Sequence, residues 1–511
     1  MRKLLSILLL QMVLPLFAVA VQPTAAQVVG DTPTAVGAAY GFPKRTLPSL
    51  PLATGAKVMG VGHSFMGRGT YSRYLASQTA TNGHQGTSET PQSYLYPIKY
   101  QDGRFNLDTF AQESIDMPWR MPVGGNAVTG SQQGLSGDHL IYNSANIPGT
   151  INRSSYALAR KPDIIVLDIG TNDISSGLSG TGDNSIAAII AHLDRQISLF
   201  NNAGVWVVIK TAGWRFDWAA SDARLASINT LNNWILKQSS RYGVKVWDTT
   251  AIDATASSTW GTGDTAIIGS DGVHPSSYGA TVLANSLMPI LQSMVTAGDD
   301  RNVDPLSGNL FPYAGLPGTS GGKATGITGN VATGFSVTRP VGTSTAVASK
   351  EVIAIGNEKQ VLTITSVNDG TTLHQFRLTT TADISFTILG VAEGDWVQVL
   401  IPIELNGWDG WTWNASNTGG GPIWTQNEQY SAANALIWET NIFTGNGGGG
   451  RTYLLDVKLP VKSTAGANRL RWTSRPITIQ FRSNAGGIGV VKIGSPIMRK
   501  ISDPRAAWSL P

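Results

Sequence analysis

The chain contains no cysteine, so disulfides, thiol nucleophiles and cysteine metal ligands are all excluded. Charge is scarce as well, with only 14% of residues charged and a formal net charge of +4 over 511 residues. No Lys/Arg stripe is present, which argues against nucleic acid as a partner. Six histidines occur, and no two of them have metal-ligand spacing, so no metal or other cofactor is implied. Beyond the first two dozen residues, no run approaches the roughly 20 continuous apolar residues of a membrane span. The absence of any internal repeat excludes a solenoid.

What is present begins with a leader. Met1-Arg-Lys precedes an apolar run from Leu4 to about Val21, and Pro23-Thr-Ala-Ala-Gln27 follows. A basic start, an apolar centre and small residues describe a secretory signal peptide, cleaved near Ala26 with Ala20 as the alternative. The expected location is secreted or periplasmic, with no membrane span after cleavage. A hydrophobic share of 41% at this length can bury large cores and suggests two or three domains. Residues 27–54 read as an N-terminal tail.

Three stretches place polar residues at the ends of apolar segments. Val58-Met-Gly-Val-Gly-His-Ser-Phe-Met-Gly67 is an apolar run that breaks into glycine and delivers Ser64. Ile164-Ile-Val-Leu-Asp-Ile-Gly-Thr-Asn-Asp173 does the same for Asn172. Asp271-Gly-Val-His-Pro-Ser-Ser-Tyr-Gly279 sets Asp271 and His274 just before a helix start. Between these blocks strands and helices alternate. Residues 161–170 and 205–210 read as buried strands, 185–203 as a helix with Ile186, Ile189, Ile190, Leu193, Ile197 and Phe200 at helical spacing, and 244–247 as a short strand. A further helix carries Leu225, Ile228, Leu231, Ile235 and Leu236, and the last runs from Ser277 to Val295. Such alternation means a parallel sheet covered on both faces.

In order and context these blocks resemble those of the SGNH (GDSL-type) hydrolase family, over roughly residues 55–297. The resemblance implies a three-layer α/β/α sandwich and serine-type acyl transfer. Ser64 would be the nucleophile, His274 its general base and Asp271 the group that fixes the histidine tautomer. The oxyanion hole would comprise the Ser64 N–H, the Gly130 N–H and the Asn172 side-chain amide. Gly130 follows from aligning Ala127-Val128-Thr129-Gly130 with the family's pattern, while Gly124 and Gly125 stay open as alternatives. Asp173 would anchor the Asn172 turn. His63 departs from the family, which has an acidic residue there, and bears on loop geometry more than on mechanism. Arg68 to about Trp119 is rich in Gly, Ser, Thr, Gln and Tyr with poor apolar spacing, and reads as an insertion where substrate approaches.

Past Val295 the pattern changes. Residues 298–349 read as a Gly/Thr/Ser-rich connection with possible first strands, and 350–500 as an all-β sandwich, jelly-roll-like, ahead of a tail at 501–511. Expected strands are Val361–Ser366, Leu373–Thr379, Ile384–Leu389, Trp396–Ile403, Tyr453–Leu459, Ile477–Arg482 and Val490–Met498. Asn309-Leu-Phe-Pro and Gly334-Phe-Ser-Val resemble the opening of carbohydrate-binding sandwiches. Trp408, Trp411, Trp413 and Trp424 crowd one Gly/Asn-rich loop of this sandwich, as aromatic faces that stack on sugars do.

The combined expectation is an exported esterase acting on an acetylated polysaccharide or other ester substrate, with its sandwich folding as a separate glycan-binding unit. A lipase or thioesterase-like hydrolase is the alternative enzyme, and a catalytically inactive envelope or phage-tail-like glycan binder the alternative outside enzymes. Oligomeric state is open.

Overall fold

The computed structural model describes residues 44–62, 71–74, 94–107, 132–134, 154–176, 185–213, 215–219, 221–259, 267–268, 272–273, 275, 277–299, 304–367, 373–407, 411–412, 423–433, 436–443, 451–461, 467–473, 476–483 and 486–503. The leader, Ser64, Gly130, Asp271, His274, Trp408 and Trp413 lie outside these residues. Among the described residues, no helix is long and apolar enough to cross a membrane.

The N-terminal half is built on a six-stranded sheet. Strand β1 (Ala56–Gly62) is flanked on one side by β3 (Phe105–Asn106) and β4 (Gln132–Gly134), and on the other by β5 (Ile164–Asp168), β6 (Trp206–Lys210) and β7 (Val244–Trp247). Every pairing is parallel. β5 and β6 are buried along their whole length, which explains why they read as unbroken β-branched runs with no polar alternation.

Successive residues of each strand feed opposite faces, so two separate cores form. On one face Met59, Val61, Ile165, Leu167, Val207 and Ile209 pack with Ile189, Leu193, Ile197 and Phe200 of helix Ile186–Asn202 and with Ile228, Leu231 and Ile235 of helix Ala223–Lys237. On the other, Val58, Ile164, Val166, Trp206 and Val208 meet Leu95 and Ile98 of helix Leu95–Gln101 and Leu283, Leu287, Leu291 and Met294 of helix Ser277–Met294. The result is the expected three-layer α/β/α arrangement. Residues 94–107 correct the reading of the insertion as mere loop: Tyr94, Leu95, Ile98, Phe105 and Leu107 are core, and Phe105–Asn106 is a strand of the sheet.

The C-terminal half is all-β. A ten-stranded and a seven-stranded sheet share one core, to which Phe335, Phe376 and Phe481 contribute from the first and Leu362, Ile401, Leu455 and Val491 from the second. Residues 320–354 hold four strands: Ser320–Lys323, Ile327–Gly329, Val331–Val341 and Thr345–Ala354. Two expected strands are corrected. Ile384–Leu389 is a strand of two residues followed by the helical turn Phe386–Leu389, whose first turn is capped by Ser385 Oγ accepting from the Thr387 N–H and whose end is the left-handed Gly390. Val490–Met498 is two strands, Gly487–Ile493 and Ile497–Ile501, divided at Gly494-Ser-Pro496, where proline cannot donate to a ladder. Trp411 and Trp424 stand in strands Trp411–Thr412 and Ile423–Ser431, both paired with Ile477–Ser483, not in a common loop.

The two halves are joined by more than their linker. Tyr100, from the helix Leu95–Gln101, is buried in the core of the sandwich, and Arg451 Nη1 donates to Asn285 Oδ1 at 3.4 Å. Strand β2 (Tyr71–Tyr74) pairs with sandwich strand Leu436–Phe443.

Candidate active site

In open parallel sheets the working groups collect at the carboxyl ends of the strands. Gly62, the last residue of β1, stands opposite Asp168, the last of β5. Ser64 follows Gly62 by two positions and Asn172 follows Asp168 by four, so both blocks leave the sheet at one edge. Between Asp168 and Asn172, Gly170 adopts φ +118°, and a Cβ there would meet Leu231 Cδ2 at 2.9 Å. Glycine therefore lets the strand turn directly into the short helix Thr171–Ser176, with Asn172 in its first turn. Asp173, read as an anchor, is fully buried.

Asn172 is oriented by a residue that sequence reading missed. Arg215 Nη1 donates to Asn172 Oδ1 at 3.4 Å, so the carboxamide oxygen faces the guanidinium. Arg215 is itself clamped: Nε and Nη2 donate to the two carboxylate oxygens of Asp217 at 2.9 and 2.6 Å. Its guanidinium also lies over the Trp218 ring, 5.2 Å from the centroid. A planar fork held on three sides is a rigid support. The only signal in the sequence is Arg215 standing five residues past the carboxyl end of β6, a position of site loops generally.

The same loop reaches the third block. The Phe216 N–H donates to the Gly272 carbonyl at 2.8 Å. Gly272 has φ +70°, and a Cβ on it would lie 2.9 Å from the Asp217 nitrogen, so only glycine lets the two backbones touch. Gly272 lies between Asp271 and His274 in sequence. Behind it Ile268 bridges Pro275, and a side chain on Gly279 would collide with the Ile267 carbonyl. The structure thus brings Asn172 and Gly272 onto one loop, residues 215–218.

Beneath the edge lies a buried polar network. Lys210, at the end of β6, is paired with Asp168 at 3.6 Å, and their side chains are 2% and 1% exposed. Tyr94 Oη donates to Asp168 Oδ2 at 3.2 Å, and both burial and the neighbouring carboxylate push the Tyr94 hydroxyl well above its ordinary pKa. Lys210 Nζ also donates to the Thr211 carbonyl. Asp253 is held by Thr249 Oγ1 at 3.4 Å, and Thr249 by Thr211. Burial raises the Asp253 carboxyl to about 7, with Lys210 opposing and Asp168 reinforcing the rise. Three strand ends are tied together directly under the turn that carries Asn172.

Residues 120–282 match the model of the GDSL-like Lipase/Acylhydrolase family. This stretch of the chain is similar to that family, and Asn172, Arg215 and the Asp271–His274 block fall within it. No curated protein matches the chain. Among solved structures it is similar to a variant of Axe2, an acetyl-xylooligosaccharide esterase from Geobacillus stearothermophilus, at 17% identity and a TM-score of 0.32 over 49% of this chain and 100% of that one. LAE5, an α/β hydrolase from the metagenome of Lake Arreo, is similar at 15% identity and a TM-score of 0.29 over 48% and 100%. The acetyl xylan esterase AlAXEase is similar at 19% identity and a TM-score of 0.25 over 31% and 78%.

The Arg215 support makes a direct prediction. Arg215→Ala should lower kcat for a small ester about tenfold with little change in KM, since losing one oxyanion donor outright costs about a hundred- to a thousandfold and a misoriented one costs less. Arg215→Lys should not restore the rate, because a point charge cannot reproduce the fork. Steady-state kinetics with p-nitrophenyl acetate check both.

Proposed function

We propose that the chain is an exported serine esterase that removes small acyl groups, O-acetyl foremost, from a polysaccharide. What carries the reading is the loop 215–218, which touches both Asn172 and Gly272: two blocks distant in sequence converge at the edge toward which β1 runs into Ser64. The family match over residues 120–282 supports hydrolysis of an ester.

In this mechanism His274, oriented by Asp271, takes the Ser64 proton while Oγ attacks the acyl carbonyl. Negative charge forms on the carbonyl oxygen, where the Ser64 and Gly130 amides and the Asn172 NH2 receive it. Collapse expels the sugar hydroxyl with the proton from His274. A water molecule then repeats the sequence on the acyl-enzyme and frees the acid. Trp408, Trp411, Trp413 and Trp424 are assigned to glycan contact in the same reading.

Chain-length dependence tests it. A lipase lines its cleft with contiguous aliphatic groups, whereas residues 68–93 are dominated by Gly, Ser, Thr, Gln, Asn and Tyr. Where an apolar pocket exists, each buried methylene contributes up to about 0.8 kcal/mol. For this protein kcat/KM on p-nitrophenyl esters should fall from acetate to butyrate and be negligible at octanoate, with acetate release from acetylated polysaccharide measured alongside. A maximum at octanoate or longer would replace the carbohydrate reading with a lipase.

A further inference from the structure

Strand β2 belongs in sequence to the hydrolase half and in space to the sandwich. Tyr71, Ser72, Arg73 and Tyr74 stand opposite Asn441, Thr440, Glu439 and Trp438, in antiparallel register. The other side of strand Leu436–Phe443 is taken by Ile423–Ser431, so β2 covers what would otherwise be an open edge of the ten-stranded sheet. Open edges leave a row of backbone donors and acceptors unpaired, which gives this pairing a backbone driving force independent of side chains.

The position of β2 matters because of what precedes it. Gly62 is fixed in the parallel sheet by its register with Asp168 and Gly134. Tyr71 is fixed in the sandwich. Residues 63–70 lie between, and even fully extended they span no more than about 30 Å. In sequence, Ser64 therefore lies between two points, Gly62 and Tyr71, that are held by different halves of the protein. Those halves are further locked by Tyr100 in the sandwich core and by the Arg451–Asn285 hydrogen bond.

We propose that the C-terminal sandwich is a positioning element of the esterase: by pairing with residues 71–74 it fixes the chain seven positions after Ser64. The inference rests on Ser64 being the nucleophile and adds that the hydrolase domain is complete only with the sandwich attached. A tether anchored at both ends samples fewer conformations than one anchored at a single end, and small misplacements of a reacting group cost large factors in rate. Losing the pairing should lower kcat and leave the KM for a small ester nearly unchanged.

The absence of cysteine from the chain permits a clean test in the full-length protein. Ser72→Cys with Thr440→Cys, a directly facing pair, should form a disulfide in oxidant, whereas Tyr71→Cys with Trp438→Cys, three positions out of register, should not. The locked protein should keep kcat within twofold of wild type on p-nitrophenyl acetate. Ser72→Pro with Arg73→Pro removes two consecutive backbone N–H groups and should lower kcat at least tenfold. Tyr71→Gly with Arg73→Gly, a milder change, should lower kcat severalfold and recover it once the 72–440 disulfide is added.

A proline variant with wild-type kcat and a native circular dichroism spectrum would overturn the proposal. So would a locked protein that loses activity, a facing pair that does not cross-link, or a glycine variant that the lock does not rescue. Should the proline variant fail to fold, the glycine variant and its rescue decide. Ser64→Ala separates the two levels: full activity in that variant defeats the nucleophile assignment, while an inactive Ser64→Ala beside a fully active proline variant defeats this inference alone.

Discussion

Ser64→Ala is expected to lower kcat/KM for p-nitrophenyl acetate by about ten-thousandfold or more, with the melting transition unchanged. The size follows from how serine-type sites work: removing the nucleophile leaves only binding and the oxyanion donors, which retain a small fraction of the rate. His274→Ala should lose nearly as much, because the general base and the nucleophile act as one unit. Asp271→Asn should lose less, since an orienting group is partly dispensable when base and nucleophile remain. The assignment fails if purified Ser64→Ala keeps more than a few per cent of wild-type activity. Equal and negligible losses in the His274 and Asp271 variants would remove the dyad.

Lys210→Met is the variant expected to cost most in stability. Lys210 and Asp168 are almost wholly inaccessible to solvent, and removing one partner of a buried pair leaves the other charge uncompensated, at a cost of about 3–5 kcal/mol. Methionine fills a similar volume, so the loss reports charge more than packing. Urea unfolding at pH 8 should show the full deficit, and a difference under about 1 kcal/mol would mean that the network is solvated.

Asp253 gives the pH dependence its sign. Burial raises its carboxyl to about 7 in the fold from the ordinary aspartate value of 3.8, so between those values the folded state binds a proton that the unfolded chain does not. The stabilisation this provides is complete below about pH 4 and is lost as pH rises to about 7, a change on the order of 4 kcal/mol. Asp253→Asn should flatten that slope and be more stable than wild type at pH 8. In the Lys210→Met background it should recover part of the lost stability at that pH, because it removes the second buried carboxylate.

Much of the hydrolase half was legible because its signals are local. β5 and β6 are buried on both faces, so they show as continuous apolar runs whatever surrounds them. The helices Ile186–Asn202 and Ala223–Lys237 carry their core residues at helical spacing. Asn172 lies in the first turn of the short helix after β5. The sandwich was legible as a class but less so in detail. Ile384–Leu389 is as apolar as a strand, yet Ser385 caps a helical turn there and Gly390 closes it, so a local side-chain hydrogen bond outweighed β-propensity.

What the sequence by itself determined is the order of the blocks, the parallel α/β class and the all-β class of the C-terminal half, since each depends on which residues are apolar and at what period. Tertiary structure alone decided the rest. Arg215 supports Asn172 across 43 positions, Gly272 meets Phe216 across 56, and β2 pairs with a strand more than 360 positions away. None of these contacts has a period or a composition, because backbone pairing and a guanidinium fork are satisfied by geometry that only the folded chain supplies. The Lys210–Asp168–Asp253 network is hidden for the same reason: two charged residues at strand ends and a third in the helix Thr250–Thr259 look like surface until parallel register stacks the strands and burial draws the three together.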